Sequence, residues 1–424
     1  MLYYSRGNEN DNLSAEDLQQ GLCAALDKLG ARKKVIAVPP DMTRYHSRAG
    51  QLTCFAYEYF GDALTDILPA VGTHFPMSRA ELEKMYPGVP LELFRVHNWR
   101  TDVITLGEVP ADYVKQVSEG VVDYTWPAQV NKLLVEGRYD LILSIGQVVP
   151  HEVIGMANYN KNIFVGTGGV EGINKSHFLG AAYGMERIMG RADTPVRRVV
   201  NYGADHFAVD LSVIYVLTVV GPDSAGQLRT RGLFIGDDIE CFNLASVLSL
   251  KVNFTMLDKP LQKVVVRLDP QEYKSTWLGN KSIYRTRMAM ADGGELVVLA
   301  PGLHQFGEDA KIDELIRKYG YVGTERVLKL TKENRDLQQN LSAAAHLIHG
   351  SSEGRFKITY CPGQISRDEI EAVNFRYSDL GEMMKKYNPQ HLRDGFNTVE
   401  GEEIYYISNP GLGLWSWKQI FESQ

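Results

Sequence analysis

The sequence predicts an α/β protein: two α/β domains with mostly parallel sheets and an interdomain cleft that holds the active site. Three observations predict it. Short apolar runs alternate with amphipathic stretches along most of the chain, a pattern of βαβ units. The length, 424 residues, favours two domains over one. The second half holds a strand–helix–strand unit, Val264–Leu268, Tyr273–Ala289 and Leu296–Ala300, with Gly293 and Gly294 before the last strand. The domains are expected at 1–258 and 259–424, with the last residues candidates to pack back on the first domain.

The elements follow in order. Ser14 reads as the N-cap of an amphipathic helix ending at Leu29, with Asp17 at the capping-box position. The first strong strand is Lys34–Val38, stopped by Pro39 and Pro40. A helix over Ala49–Phe60, the apolar run Asp66–Val71, a helix over Ser78–Met85 and a strand over Glu92–Val96 come next. A helix over Pro127–Glu136 leads into the strand Asp140–Ile145, and Asn162–Val165 reads as another short strand. Leu211–Val220 and Leu228–Ile235 read as an antiparallel hairpin about a PDSAG turn, followed by a helix over Ile239–Leu250. Glu308–Tyr319 and Thr331–His349 read as helices, and Phe356–Tyr360 and Ile404–Ile407 as strands. There is no internal repeat and no low-complexity tract.

Composition narrows the function. Hydrophobic residues are 44% and charged residues 23%, as in soluble globular proteins. A net charge of -7 gives no general footprint for nucleic acid. Cys23, Cys54, Cys241 and Cys361 are scattered, which argues against a disulfide framework and a thiolate zinc site and fits a reducing cytoplasm. The N-terminal residues carry no apolar signal core, and no run of about 18 apolar residues occurs, so no membrane partner is expected.

The stretch Ser144–His177 stands apart. It gathers His151, Lys161, Gly166, Gly168, Gly169, Gly172, Lys175 and His177, with Asn158, Asn160, Asn162 and Asn174, but few charges. It carries more Gly and Asn than suits a buried helix and less charge than suits a solvated loop. It reads as backbone wrapped around a ligand. Polar groups also follow the apolar runs: Asp41, Thr43 and Arg44 after one, Thr73 and His74 after the next, His97 at the end of a third, His151 beyond a fourth. Ligands of parallel sheets bind beyond the carboxyl ends of the strands. Each residue alone is an ordinary turn residue; the set points to a site. The glycine run GTGGVEG matches neither G-x-G-x-x-G nor a P-loop. Both a phosphate nest and a plain glycine-rich turn remain open for it. Arg44, Arg48, Lys161 and Lys175 supply local positive charge in an acidic chain, which suits an anion. The residues by themselves reach an α/β enzyme acting on an anion, with metal assistance open.

Asp41-x-Thr43-Arg44, Gly72-Thr73-His74-x-Pro76, Pro150-His151 with Lys161 ten residues later, and His177 twenty-six residues after His151 resemble the nickel-pincer-nucleotide lactate racemase family. The resemblance covers nearly the whole chain. It implies a pyridinium-3,5-bisthiocarboxylic acid mononucleotide that binds nickel through a ring carbon and two sulfurs. It implies Lys161 as covalent anchor through a thioamide, and His177 as the fourth nickel ligand in a planar site of the kind Ni(II) favours. His74 and His151 would be the acid–base pair. Arg44 would bind the substrate carboxylate, with Lys281 and Trp277 completing the substrate set. Asp41 and Thr43 would serve the cofactor side or an adjacent catalytic group, and Gly168 and Gly169 would lie against the nucleotide. Cofactor maturation proteins are the implied partners. The implied reaction inverts C2 of a 2-hydroxy acid: hydride moves to the cofactor while a histidine takes the hydroxyl proton, and a planar 2-keto acid receives hydride on its other face. An imidazole serves both directions because its pKa lies near neutrality.

Three departures bear on the substrate. The family commonly carries GFSGG-x-K before the anchoring lysine, where this chain has GMANYNK. It commonly carries Gln three residues before the second-domain lysine, where this chain has Leu278. It usually follows Thr-Arg closely with proline, where this chain has YHSRAG. Asn158, Asn160, His46, His97, Asn98 and Trp99 are candidates to line a larger polar pocket. The expected substrate is therefore a longer polyhydroxy acid such as D-gluconate, with lactate or another short 2-hydroxy acid as the alternative. A non-catalytic anion sensor on the same fold, and a sugar-acid lyase or hydrolase using a conventional divalent metal, are the competing classes.

Overall fold

The computed structural model describes residues 1–223, 226–411 and 413–423. Ser224 and Ala225 of the expected PDSAG turn lie outside the described residues. The protein is mixed α/β with mostly parallel sheets. It divides into two compact units, Met1–Leu179 with Met189–Asn253, and Gly180–Ile188 with Phe254–Gln424.

The first unit is built on six strands in the order Leu2–Gly7, Leu228–Gly236, Val213–Pro222, Leu141–Gln147, Val35–Val38, Leu64–Ile67. The last four run parallel; the first two pairings are antiparallel. Leu141–Gln147 is buried along its whole length, as a central strand covered on both faces requires, which is why Leu141–Leu143 is an unbroken apolar run rather than an alternating one. The helix Ala15–Leu29 buries Leu18, Leu22, Ala25 and Leu26, positions spaced to share one face. Its capping box forms as expected: Ser14 Oγ accepts from the Asp17 N–H, and Asp17 accepts from the Ser14 N–H. The helix Ala49–Phe60 also falls where the pattern places it.

A small antiparallel ribbon, Val103–Val109 with Trp126–Asn131, lies beside this sheet's helices. Here the structure corrects the expected helix Pro127–Glu136. Trp126–Asn131 is strand, and only Lys132–Glu136 is helical. Asn131 Oδ1 caps that short helix by accepting from the Leu133 N–H at 2.9 Å. Glu92–Val96 is not a strand either. Pro90 starts a 3₁₀ turn over Leu91–Leu93, and only Phe94 makes a bridge, to Ile67. Asn162–Gly166 is a π-helical turn rather than a strand.

The second unit carries the order Arg376–Tyr377, Lys357–Pro362, Met290–Ala300, Leu261–Arg267, Glu402–Ile407, Gly395–Val399. All neighbours are parallel except the last pair. The expected helix Tyr273–Ala289 is shortened to Thr276–Gly279 and Lys281–Tyr284, parted at Asn280. Thr331–His349 is three helices, Thr324–Glu333, Arg335–Gln338 and Leu341–His349. Asn334 and Asn340 sit at the breaks, where Asn334 bonds the Leu330 carbonyl and Asn340 accepts from Ala343. Short polar side chains that compete for backbone groups end helices in this way. Among the described residues no helix is long and apolar enough to cross a membrane.

Candidate functional site

Asp41 follows the strand Val35–Val38 and caps the 3₁₀ helix Met42–Ser47, its Oδ1 accepting from the Thr43 N–H at 3.1 Å and the Thr43 hydroxyl at 2.5 Å. Its other oxygen accepts from His74 Nδ1 at 2.6 Å. A carboxylate at Nδ1 fixes the tautomer and leaves the His74 Nε2 lone pair as an acceptor. Asp41 is buried while the His74 side chain is 53% exposed. Burial works against the Asp41 charge, yet the bonds from His74 and Thr43 and the nearby Arg44 hold its carboxyl below the usual range.

His151 stands in the opposite condition. It is buried, and its Nδ1 accepts from the Val153 N–H at 3.1 Å, which places the proton of the neutral ring on Nε2. The Glu152 carboxylate lies 3.8 Å from the same Nδ1.

Lys161 precedes the π-helical turn. Among the described residues no hydrogen-bonding or ion-pair partner holds its amine. Burial, then the charge of Arg44, push the amine down to about 8. Glu152, Arg197 and Asp41 act on it more weakly. His177 belongs to the helix Val170–Tyr183, and its Nδ1–H donates to the Ile173 carbonyl at 2.7 Å. Burial, then the Lys161 charge, lower its pKa against the opposing bond to Ile173, which favours the neutral ring. A neutral imidazole anchored through Nδ1 presents Nε2 as a ligand atom. Among the described residues no three His, Cys, Asp or Glu side chains gather into a metal-binding set. The donor that this neighbourhood offers a metal is the single anchored imidazole of His177.

The glycine-rich segment is closely packed. A Cβ at Gly168 would fall 1.9 Å from the Phe164 carbonyl oxygen, and one at Gly169 would fall 2.5 Å from Gln129 Oε1. The amides of Gly168, Val170 and Gly172 are donated to Val165, Trp99 and Gln129. Tight packing is a sufficient reason for glycine at 168 and 169. The helix Val170–Tyr183 that follows runs through the stretch expected to be ligand-wrapping loop. Its glycines let it approach the ribbon, where Trp126 Nε1–H donates to the Gly172 carbonyl.

Several residues expected to line a pocket serve the scaffold. His97 is buried, with Nδ1 accepting from Asn131 Nδ2 at 2.9 Å and Nε2 donating to the Gly168 carbonyl at 3.1 Å. Asn158 accepts from the Tyr159 N–H, and Asn160 pairs with Asn201 and Tyr215. Asn98 accepts from the Arg100 N–H, and Trp99 lies under the Arg100 guanidinium. Lys175 is bound to Thr125 and Glu171. His46 differs: burial and Arg44 hold its ring neutral, with the pKa pushed down to about 4. Two residues of this neighbourhood were not singled out in the sequence, Glu152 and Arg197. Arg197 carried only the weak signal of a Thr-Pro helix start at Thr194.

In the second unit, Lys281 begins the helix Lys281–Tyr284, its ammonium 5.4 Å from the Tyr273 ring centroid. The Trp277 ring lies against His346 with centroids 4.5 Å apart.

Residues 18–187 match the family described as the lactate racemase N-terminal domain. A crystal structure of a Thermotoga maritima protein is similar with a TM-score of 0.81 and 26% sequence identity, covering 97% of this chain and 100% of that one. The lactate racemase apoprotein of Thermoanaerobacterium thermosaccharolyticum shares the fold with a TM-score of 0.71 and 17% identity, over 97% of this chain and 94% of its own. No curated protein matches. Residues 18–187 are thus similar to the lactate racemase N-terminal domain, and the chain as a whole shares its fold with the lactate racemase apoprotein.

Proposed function

We propose that the protein is an isomerase that inverts C2 of a 2-hydroxy acid, using a nickel-pincer nucleotide joined to Lys161 as a thioamide. The observation that carries this reading is the Lys161 amine: without a partner among the described residues, depressed by burial, and sharing its electrostatic surroundings with Asp41, Arg44, Glu152 and His177. An uncharged amine is the reactive form for forming an amide-type bond. His177 Nε2 is the metal ligand. Thr43, Gly168 and Gly169 stay assigned to the cofactor side. When bound, the cofactor supplies a carrier that takes hydride from C2 and returns it.

The chain's own groups do the rest. Arg44 binds the substrate carboxylate; Lys281 and Trp277 stay assigned to substrate binding. His74 Nε2 takes the hydroxyl proton, and the Asp41 carboxylate at Nδ1 stabilises the imidazolium that forms. His151 presents its Nε2–H to the oxygen on C2, and Glu152 beside Nδ1 supports the ring when both nitrogens carry protons. The substrate is a polyhydroxy acid such as D-gluconate. Leu278 removes an amide donor expected for a short acid, and the neutral His46 ring beside Arg44 suits acceptance of a further hydroxyl hydrogen. Cofactor maturation proteins are the partners, and the cytoplasm is the compartment.

Protein produced together with the cofactor-making enzymes should show an intact mass increased by the nucleotide, mapped to Lys161. An unmodified Lys161 under those conditions overturns the reading. Incubated in D₂O, the matured protein should invert C2 of D-gluconate faster than that of lactate, with deuterium staying out of C2. Faster turnover of lactate would overturn the substrate assignment, and deuterium at C2 would favour enolisation.

A further inference from the structure

The loop that delivers Lys161 has an unusual backbone. Asn158 and Tyr159 are consecutive residues in the left-handed region, with φ of 69° and 58°. A side chain there is strained, and for an aromatic residue the strain is larger than for Asn. These two positions are those where GMANYNK departs from the two glycines of the resembling pattern. The chain keeps a conformation that glycine adopts freely while carrying two residues that do not.

Something outside the loop must hold it, and the helix Pro195–Phe207 does so. Thr194 caps that helix by accepting from the Arg197 N–H and donates its own hydroxyl to the Ile154 carbonyl. The Gly190 N–H reaches the Gly155 carbonyl at 3.1 Å. Arg197 completes the set: its guanidinium donates to the Met156 carbonyl at 2.6 Å and the Asn158 carbonyl at 3.1 Å. Arg197 is 1% exposed, and its guanidinium lies on these carbonyls and against the Phe242 ring, 4.3 Å away. Burying a guanidinium on backbone oxygens is costly unless its geometry is needed. A planar fork spans two carbonyls two residues apart; an amide or an ammonium reaches one. The Tyr159 ring is fixed in turn by Tyr215 and Phe242, with centroids 4.2 and 5.4 Å away.

We propose that Arg197 is the positioning residue of the anchor loop: its two carbonyl bonds impose the left-handed turn at Asn158 and Tyr159 and thereby set where the Lys161 amine is presented. The proposal rests on Lys161 being the attachment point, but its test does not need the cofactor. In the apo protein, hydrogen exchange of the amides of residues 156–161 and the rate at which Lys161 is acylated by an amine-selective reagent, mapped by peptide mass, both read the loop directly. Arg197→Gln should speed exchange in this segment at least tenfold and change the Lys161 acylation rate at least threefold, while the melting transition stays cooperative. In matured protein it should lower the Lys161 adduct at least tenfold. Asn158→Gly, which removes strain at the first left-handed position, should leave the parent within twofold and recover threefold or more of the adduct in the Arg197→Gln background. If Arg197→Gln does not fold, Arg197→Lys, which keeps the charge and reaches one carbonyl, takes its place in the same comparison. A folded Arg197 variant with unchanged exchange and acylation overturns the proposal, as does a loss that Asn158→Gly fails to relieve. Absence of any adduct on the parent protein would sink the cofactor assignment alone, because the apo readouts still decide the role of Arg197.

Discussion

Two buried polar regions can be set side by side. In the second unit, Thr276, Asn280, Tyr321, His346 and Tyr360 form a closed network. The Tyr360 hydroxyl donates to Asn280 Oδ1 at 2.7 Å, the Tyr321 hydroxyl meets His346 Nε2 at 2.9 Å, and Thr276 joins Tyr321 at 2.9 Å. In the first unit, the neighbourhood of Lys161 leaves capacity open: an amine without a partner among the described residues, a His177 ring tied at one nitrogen, and a half-exposed His74 ring tied at one nitrogen. A closed network stabilises one packing of the core and asks for no ligand. A buried group with open valence costs stability and persists where chemistry uses it.

The largest effect expected from that contrast is on turnover. Asp41→Asn keeps an acceptor for His74 Nδ1 but removes the charge that stabilises the imidazolium, so kcat should fall by roughly 10²–10³-fold with little change in melting temperature. Steady-state rates of C2 inversion check this, and a loss below tenfold would remove Asp41 from the machinery. On the closed side, His346→Leu removes one hydrogen-bond partner each from Tyr321 and Asn280 and should destabilise by about 3 kcal/mol, read by urea unfolding. An effect near zero would show that the network is not what orders the second unit.

The smallest expected effect is a slope with pH. The Lys161 amine titrates at about 8 in the folded protein, against an ordinary value of 10.5. Between those values the unfolded chain holds a proton that the folded apo protein has released. Stability of the apo protein should therefore rise as pH goes from about 8 to 10.5. Lys161→Met should flatten that slope and raise stability at neutral pH. Denaturant midpoints of the two proteins across this range provide the measurement, and parallel slopes would mean that the amine is solvated.

The contrast also explains what the sequence could disclose. Strongly periodic pieces such as Ala15–Leu29 and Ala49–Phe60 were readable because one face of each is apolar, and the first also carries a local cap at Ser14. The Trp126–Asn131 strand was not, because its partner Val103–Val109 leaves Ile104 exposed and so lacks a clean alternation. The helix through Gly172 and His177 was hidden by its glycines and Asn174, whose cost is offset by close packing on the ribbon. The chemistry-bearing types at strand ends were visible, but His97 and Asn160 look the same in a sequence whether they face a ligand or brace a loop. Arg197 was out of reach for the same reason: its partners are backbone oxygens, which every residue has.

The antiparallel pairing of Leu2–Gly7 with Leu228–Gly236 has a consequence for synthesis. The edge strand Leu2–Gly7 cannot find its neighbour until Gly236 has been made, about 230 residues later, which at about 5–20 residues per second takes roughly 10–50 s. Throughout that interval the nascent segment offers amides that have water but no strand partner, open to pairing with other chains. Output of folded protein should therefore respond to translation speed and to chaperone supply over this early span, and far less to events during synthesis of the closing strands.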